Sequence, residues 1–131
     1  MGLESIRVHE GRDLISVRMA VTKHARKLRF GTLDQTRVVT AISELARNML
    51  IHGGGGEVLI EDLAGAKRGL RVVCADKGKG IEDVDAAMVD GYSTRKTLGL
   101  GLPGTKRLVD EFQLESARPG GTTVTVVKWA R

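Results

Sequence analysis

Four glycine clusters divide this chain into segments with regular hydrophobic patterns. They lie at residues 52–57 (HGGGGE), 76–80 (DKGKG), 99–104 (GLGLPG) and 118–122 (RPGGT), and glycine makes up 17 of the 131 residues. Average proteins contain about 7% glycine, and this chain has neither a collagen-like period nor a low-complexity tract. Because glycine lets the backbone turn sharply and approach another group closely, the clusters indicate loops at such close approaches.

The first half of the chain carries two helical patterns. Apolar residues recur every three or four positions over residues 13–28, and the pattern breaks at residues 30–32. A second helix is predicted over residues 35–51, with Asp34 as its candidate N-cap. The apolar positions of this second helix predict one buried stripe: Val38, Ile42, Leu45 and Met49.

The same half of the chain contains three predicted strands. Apolar and polar residues alternate around Ile6 and Val8, which indicates a short strand before a turn at residues 11–12. Residues 57–63 and 70–75 are predicted as two further strands, and the polar turn that joins them indicates a hairpin.

The last third of the chain is predicted to add two helices and two strands. A short helix is expected at residues 83–89. Pro103 suits the first turn of a third long helix, which is expected to end near Phe112. Strands are expected at residues 114–117 and 122–129.

These elements predict a single domain over residues 1–131. Strands that arrive as hairpins, with helices between the groups, favour the α+β class. The expected fold is a two-layer sandwich, in which a mixed, mostly antiparallel sheet is covered by helices on one face. A chain of this length can bury a core without disulfides. Cys74, Phe112 and Trp129 are expected in that core.

Composition and charge narrow the classes of function. The net charge of +5 and the pI near 9.7 raise the question of nucleic-acid binding. The basic residues are scattered, however, and aromatic residues make up 3% of the chain, so we expect no nucleic-acid partner. No run approaches the ~18 apolar residues of a membrane span, and the N-terminus lacks the apolar core of a signal peptide. We therefore expect a cytoplasmic protein with no membrane partner.

The second predicted helix carries two polar side chains in an otherwise apolar stretch, SELARNML, at residues 43–50. Glu44 and Asn48 are four positions apart and therefore point the same way, and His52 continues the row. Taken alone, the row is a solvated face opposite the buried stripe. Together with the glycine clusters, the row also suits a site that binds a metal ion and removes a proton. Asn48 offers a neutral oxygen to magnesium, and Glu44 would lie where a hydroxyl must lose its proton.

Two glycine clusters place possible ligand groups at the end of a strand and at the start of a helix. Asp76 could accept the amino proton of adenine, and Gly78 and Gly80 would let a flat base approach the backbone, although a plain turn is the alternative. Gly99 and Gly101 precede the third predicted helix, where exposed backbone N–H groups can bind phosphate. A lone GxG before a helix is a weak signal.

The order of these motifs resembles the four nucleotide-binding boxes of the GHKL ATPase superfamily, which includes gyrase, Hsp90, histidine kinases and MutL. The motifs are ExxxN on a helix, DxGxG after a strand, GLGL before a helix and GTT on the final strand. A chain of 131 residues leaves no room for a transducer domain or a phosphoacceptor hairpin, which favours the stand-alone serine kinases of bacteria. The runs FGTLDQTRVVTAISELARN, DGYSTRKTLGLGLPGTKRLVDEF and VKWAR look most similar to the RsbT type, the switch kinases of the stressosome.

The resemblance implies a serine/threonine protein kinase that uses ATP and Mg²⁺. Glu44 would be the catalytic base, Asn48 the magnesium ligand and Asp76 the residue that reads adenine. The other residues that the resemblance implies for nucleotide binding are Gly78, Gly80, Gly99, Leu100, Gly101 and Thr122.

The same resemblance implies two protein partners. The substrate would be a serine on a STAS-domain protein, and the second partner would be a PP2C-type phosphatase that the released kinase activates. Two alternatives stay open: an anti-sigma factor of the same fold that sequesters a sigma factor, and a module that binds ATP and acts by contact only. Lys77, Lys79, Arg95 and Lys96 are candidate phosphate contacts or solvated cations, and His52 is a proton relay or a cation favoured at a helix end.

Overall fold

The computed structural model describes residues 2–78, 88, 101–117 and 120–131. Within these ranges the chain forms five strands and three helices. In chain order they are β1 (Leu3–Val8), α1 (Gly11–Lys27), α2 (Thr32–Gly53), β2 (Gly56–Ala64), β3 (Arg68–Asp76), α3 (Gly101–Lys106), β4 (Glu111–Ala117) and β5 (Gly121–Trp129).

The five strands form one sheet in the order β1-β2-β3-β5-β4. Every neighbouring pair in the described part of the chain is antiparallel, and β2 and β3 form the predicted hairpin. The α+β class is therefore confirmed, although the described sheet is wholly antiparallel where a mixed, mostly antiparallel one was expected. The β3–β5 pairing sets Ala75 opposite Thr123, which brings the end of β3 beside the start of β5.

Helices cover one face of this sheet. The four stripe residues predicted on α2, Val38, Ile42, Leu45 and Met49, are all buried, as expected. They pack in one cluster with inward-facing strand residues such as Val58, Val72 and Val126. Because a fully buried aliphatic side chain of this size contributes about 1.5–3 kcal/mol, this shared cluster is the main force that holds the helices on the sheet.

The two long helices begin earlier than the sequence pattern indicates. Helix α1 starts at Gly11, so the expected turn at residues 11–12 is helical, and the Asp13 carboxylate accepts the N–H of Glu10 at 3.0 Å. The N-cap of α2 is Gly31, and the prediction that Asp34 caps this helix is wrong. Asp34 is buried in the first turn, where its Oδ1 is 3.3 Å from Nζ of the buried Lys128.

The predicted third long helix is also wrong in length. Helix α3 ends at Lys106, and Phe112 lies on β4. The N–H of Asp110 donates to the Val127 carbonyl at 2.9 Å, and this bond precedes the β4–β5 ladder. Sheet pairing therefore decides the conformation from Glu111 onward. The short helix expected at residues 83–89 falls outside the described residues, apart from residue 88.

Trp129 lies outside the core in which it was expected. Trp129 is half-buried, its backbone pairs with Gly69 in the β3–β5 ladder, and its ring packs over Gly69. Lys67 Nζ is 5.7 Å from the ring centroid, and the indole N–H donates to Glu111 Oε2 at 3.3 Å. Phe112, by contrast, packs against the core as expected.

A cluster of ionisable side chains around the buried His24 ties α1 to the edge of the sheet. His24 is buried on α1, and its Nδ1 is 2.7 Å from Asp62 Oδ1 on β2. Its Nε2 is 2.8 Å from Glu4 Oε1 on β1. Lys23 and Lys27 complete the cluster with ion pairs to Glu4 at 3.0 Å and to Asp62 at 2.5 Å. One imidazole ring thus connects a helix and two strands.

Candidate active site

Helix α2 carries the first part of the site. Glu44 and Asn48 lie one helical turn apart on the same side of α2, and both are half-buried. Glu44 Oε2 is buried, and no hydrogen-bond partner for it is found among the described residues. An unpaired buried carboxylate oxygen is costly, so this atom calls for an explanation such as a role in catalysis or a bound ion. His52, the last residue of the predicted row, is exposed in the final turn of α2.

Asp76 is the centre of the second part of the site. Its Oδ1 accepts two backbone N–H groups, from Gly78 at 2.9 Å and from Thr122 at 3.2 Å. The Thr122 hydroxyl is in turn 2.9 Å from the Ser116 hydroxyl on β4. Three of the residues predicted from the sequence, Asp76, Gly78 and Thr122, are therefore brought together, and the two hydrogen bonds fix the orientation of the carboxylate.

Two glycines that were not singled out in the sequence pack directly against Asp76. A Cβ atom on Gly53, the last residue of α2, would lie 2.7 Å from Asp76 Oδ2. Gly121 has φ +90°, and a Cβ there would overlap the Asp76 carbonyl oxygen. Gly53 belongs to the cluster HGGGGE. The sequence indicated that the backbone of this cluster approaches another group closely, but it did not indicate that the group is Asp76.

The third part of the site is the end of the predicted phosphate loop. Gly101 is buried at the first residue of α3, and its carbonyl accepts the Thr105 hydroxyl at 2.9 Å. Helix α3 packs against α2, so Gly101 belongs to an element in contact with the helix that carries Glu44 and Asn48. Five residues proposed for the site lie outside the described residues: Gly80 of the base pocket, and Gly99, Leu100, Arg95 and Lys96 near the phosphates.

Lys77 is exposed directly after Asp76, while Lys79 lies outside the described residues. The described residues contain no group of three or more His, Cys, Asp or Glu side chains that could hold a metal ion. None of the helices in the described part of the chain is long and apolar enough to cross a membrane.

Comparison with known proteins identifies the family. Residues 9–128 match the family model described as the histidine kinase-like ATPase domain. The chain belongs to this family. The serine/threonine-protein kinase RsbT of Bacillus subtilis (strain 168) is 45% identical to this member over 127 residues, which cover 96% of each chain. The anti-sigma F factor of Clostridium novyi (strain NT) is 33% identical over 118 residues, or 85% of this chain and 82% of that protein.

A solved structure shares the fold of this histidine kinase-like ATPase domain. The structure of the RsbU and RsbW domains of a Mycobacterium tuberculosis protein aligns with a TM-score of 0.72 at 22% identity. The alignment covers 100% of this chain and 33% of that chain. Together with the family match, these similarities confirm the predicted GHKL fold and the predicted enzyme class, a serine/threonine-protein kinase of the RsbT type. They also agree with ATP as the nucleotide, because the family consists of ATPase domains.

Proposed function

We propose that this protein is a cytoplasmic switch kinase that uses Mg²⁺ and ATP to phosphorylate a serine on a STAS-domain protein. After transfer, the released kinase activates a PP2C-type phosphatase. The observation that carries the proposal is the arrangement along α2. Glu44, whose Oε2 has no hydrogen-bond partner among the described residues, lies in the middle of this helix, and the helix ends against Asp76.

The residues around Asp76 suit an adenine base. Both backbone hydrogen bonds go to Oδ1, so Oδ2 would accept a proton of the exocyclic amino group. Gly53, Gly78 and Gly121 place no side chain beside the carboxylate, which would help a flat ring to approach it. Thr122 would extend the hydrogen-bond network around the base through its link to Asp76.

The other end of the nucleotide would lie along α2 and the residues that precede α3. Asn48 would hold Mg²⁺ through its amide oxygen, because this ion needs only one or two protein ligands when phosphate and water oxygens complete its shell. When bound, the ion would offset the charge of the phosphates. Gly99, Leu100 and Gly101 would contribute backbone N–H groups to the phosphates. Gly80 would shape the base pocket with Gly78.

Glu44 would act as the general base. Its Oε2 is buried and has no described partner, so it can accept the proton of the substrate hydroxyl. In that step the serine oxygen bonds to the γ-phosphorus, the bond from this phosphorus to the bridging oxygen breaks, and ADP leaves. Phosphoryl transfer needs positioning and charge neutralisation more than covalent catalysis, which suits a site built from one helix and a few loops.

The STAS-domain substrate and the PP2C-type phosphatase are proposed from the sequence similarity of this chain to its relatives. Its 45% identity to a protein named serine/threonine-protein kinase RsbT supports a switch kinase with a protein substrate. Similarity to anti-sigma F factors at 33% identity supports a second candidate, in which the same fold sequesters a sigma factor.

Phosphotransfer to a purified STAS-domain protein tests the proposal. Incubation of the kinase with Mg·ATP and the STAS protein should add one phosphate by mass. Glu44→Gln should reduce the rate by about 10²–10⁴-fold, the usual contribution of a general base, and Asn48→Ala should also abolish transfer. Glu61→Gln changes an exposed carboxylate on β2 that is paired with Arg71 and belongs to no part of the proposed site. This variant should transfer phosphate at the wild-type rate.

Three results would contradict the proposal. Normal transfer by Glu44→Gln would remove the assigned base. Co-purification with a sigma factor instead of a phosphatase would select the anti-sigma alternative. Nucleotide-dependent stabilisation without transfer to any STAS partner would select a module that acts by contact.

A further inference from the structure

We infer that Gly53 is a positioning residue for the nucleotide: its missing side chain lets the Asp76 carboxylate lie against the end of α2. This inference rests on the proposed role of Asp76 as the residue that reads adenine. Gly53 ends the same helix that carries Glu44 and Asn48. The contact would therefore set how the adenine end of the site is placed relative to its phosphate end.

The contact is closer than any side chain at position 53 would permit. A Cβ on Gly53 would lie 2.7 Å from both Cβ and Oδ2 of Asp76 and would overlap Cγ, whereas real Cβ atoms essentially never come within 3.0 Å of another group. Gly78 closes the other side, because a Cβ there would be 2.7 Å from Gly53 Cα. The Asp76 side chain is thus packed between the backbone at the end of α2 and the backbone of the loop after β3.

Asp76 has little freedom to avoid an added methyl group. Its Oδ1 is held by the N–H groups of Gly78 and Thr122. Its backbone is held as well, because Gly121 approaches the Asp76 carbonyl closely. An alanine at position 53 must therefore break these hydrogen bonds or shift the last turn of α2, and either change displaces Oδ2.

Backbone conformation does not explain the glycine at position 53. Gly53 lies within α2, and the positive φ angles of this segment belong to the next two residues, Gly54 and Gly55. In a helix, alanine is the residue of higher propensity than glycine. The contact with Asp76 is the feature of this position that requires a glycine.

Gly53→Ala should weaken nucleotide binding more than it affects the chemical step. Displacement of a charged hydrogen-bonding group typically costs a factor of about ten or more in affinity. We therefore expect the Kd for Mg·ATP, measured by titration calorimetry, to rise at least about tenfold. KM for ATP should rise in parallel, while kcat at saturating ATP should change by less than about threefold because Glu44 keeps its place on α2.

Two variants serve as references. Gly31→Ala makes the same chemical change at the other end of α2, where an added Cβ meets nothing within 4 Å, and should bind Mg·ATP as the wild type does. Asp76→Asn should lose nucleotide binding. If Asp76→Asn loses binding and Gly53→Ala binds normally, the inference about Gly53 is overturned and the proposed function stands. If Asp76→Asn binds normally, both are overturned.

A stability measurement keeps the inference testable should Gly53→Ala fold poorly. In the Asp76→Gly background, the side chain that an alanine at position 53 would meet is gone. Gly53→Ala should then leave the melting temperature unchanged or raise it, since alanine is the better helix former. An equal loss of stability in the wild-type and Asp76→Gly backgrounds would show that the contact with Asp76 does not constrain position 53.

Discussion

Asp62→Asn should destabilise the protein at neutral pH and much less in acid. The Asp62 carboxylate is 8% exposed and lies 2.7 Å from His24 Nδ1 and 2.5 Å from Lys27 Nζ. Burial alone would raise the pKa of Asp62, but the hydrogen bonds from Lys27 and His24 outweigh it and hold this pKa below its ordinary value of 3.8. The His24 and Lys23 hydrogen bonds likewise lower the pKa of Glu4.

The magnitude follows from the two bonds that asparagine would weaken. A hydrogen bond to a charged group contributes about 1.5–3 kcal/mol, and His24, which bonds to the Asp62 carboxylate, is buried. The pair with Lys27 adds about 0–1 kcal/mol, because the lysine side chain is 58% exposed. We expect the free energy of unfolding to fall by about 2–3 kcal/mol, and the melting temperature by roughly 10 °C.

The sign of the pH dependence is set by the lowered pKa. A carboxyl group whose pKa is lower in the folded state contributes its full stability above its unfolded pKa and loses that contribution as the pH falls through its folded pKa. The difference between wild type and Asp62→Asn should therefore be greatest at neutral pH. It should shrink progressively once the pH is below about 4.

Urea denaturation followed by circular dichroism measures this difference over the pH series. Glu61→Gln is the matched control, because Glu61 is the neighbouring carboxylate on β2 and pairs with Arg71 at 3.2 Å in an exposed ion pair. Its loss should stay within about 1 kcal/mol at every pH. A loss for Asp62→Asn no larger than for the control, or one that persists undiminished in acid, would refute the reasoning.

Two further predictions concern the core. Burial raises the pKa of the Cys74 thiol to about 12, so a disulfide reagent at mildly alkaline pH should label Cys74 only as the protein unfolds, and rapid labelling of folded protein would contradict its packing. Ile42→Ala should cost about 2–5 kcal/mol in urea denaturation because this side chain is fully buried. Ile15→Ala on the exposed side of α1 should cost far less, and equal losses would contradict the assigned core.

The spacing of apolar residues along the chain correctly predicted the helices and strands that bury one face against one neighbouring layer of the fold. The stripe on α2 and the β2–β3 hairpin follow from this rule, since spacing alone assigns their buried faces. Phe112 shows where the rule fails. Its spacing of four from Leu108 fits a helix, but a spacing of four is also even and fits a strand. Pairing with β5 decides between the two, and pairing between segments is not visible in local spacing.

The prediction that Asp34 caps α2 is wrong for a related reason. Its residue type and position favour an N-cap, but its side chain points inward to Lys128, which lies far away in the sequence on β5. A buried lysine needs an opposite charge, so this tertiary pairing outweighs the local preference. The partner could not be inferred from the residues around Asp34.

The site combines both kinds of information. The one-turn spacing of Glu44 and Asn48 is a local property, and it placed the two side chains on the same side of α2. The bond from Thr122 to Asp76 depends on the register of β3 with β5, and the family resemblance assigned both residues to nucleotide binding where spacing did not bring them together. Gly53 is a different case, because a glycine carries no side chain from which a partner can be inferred. Its contact with Asp76 becomes apparent only when α2, β3 and β5 meet, so residues of this kind must be sought in the folded structure.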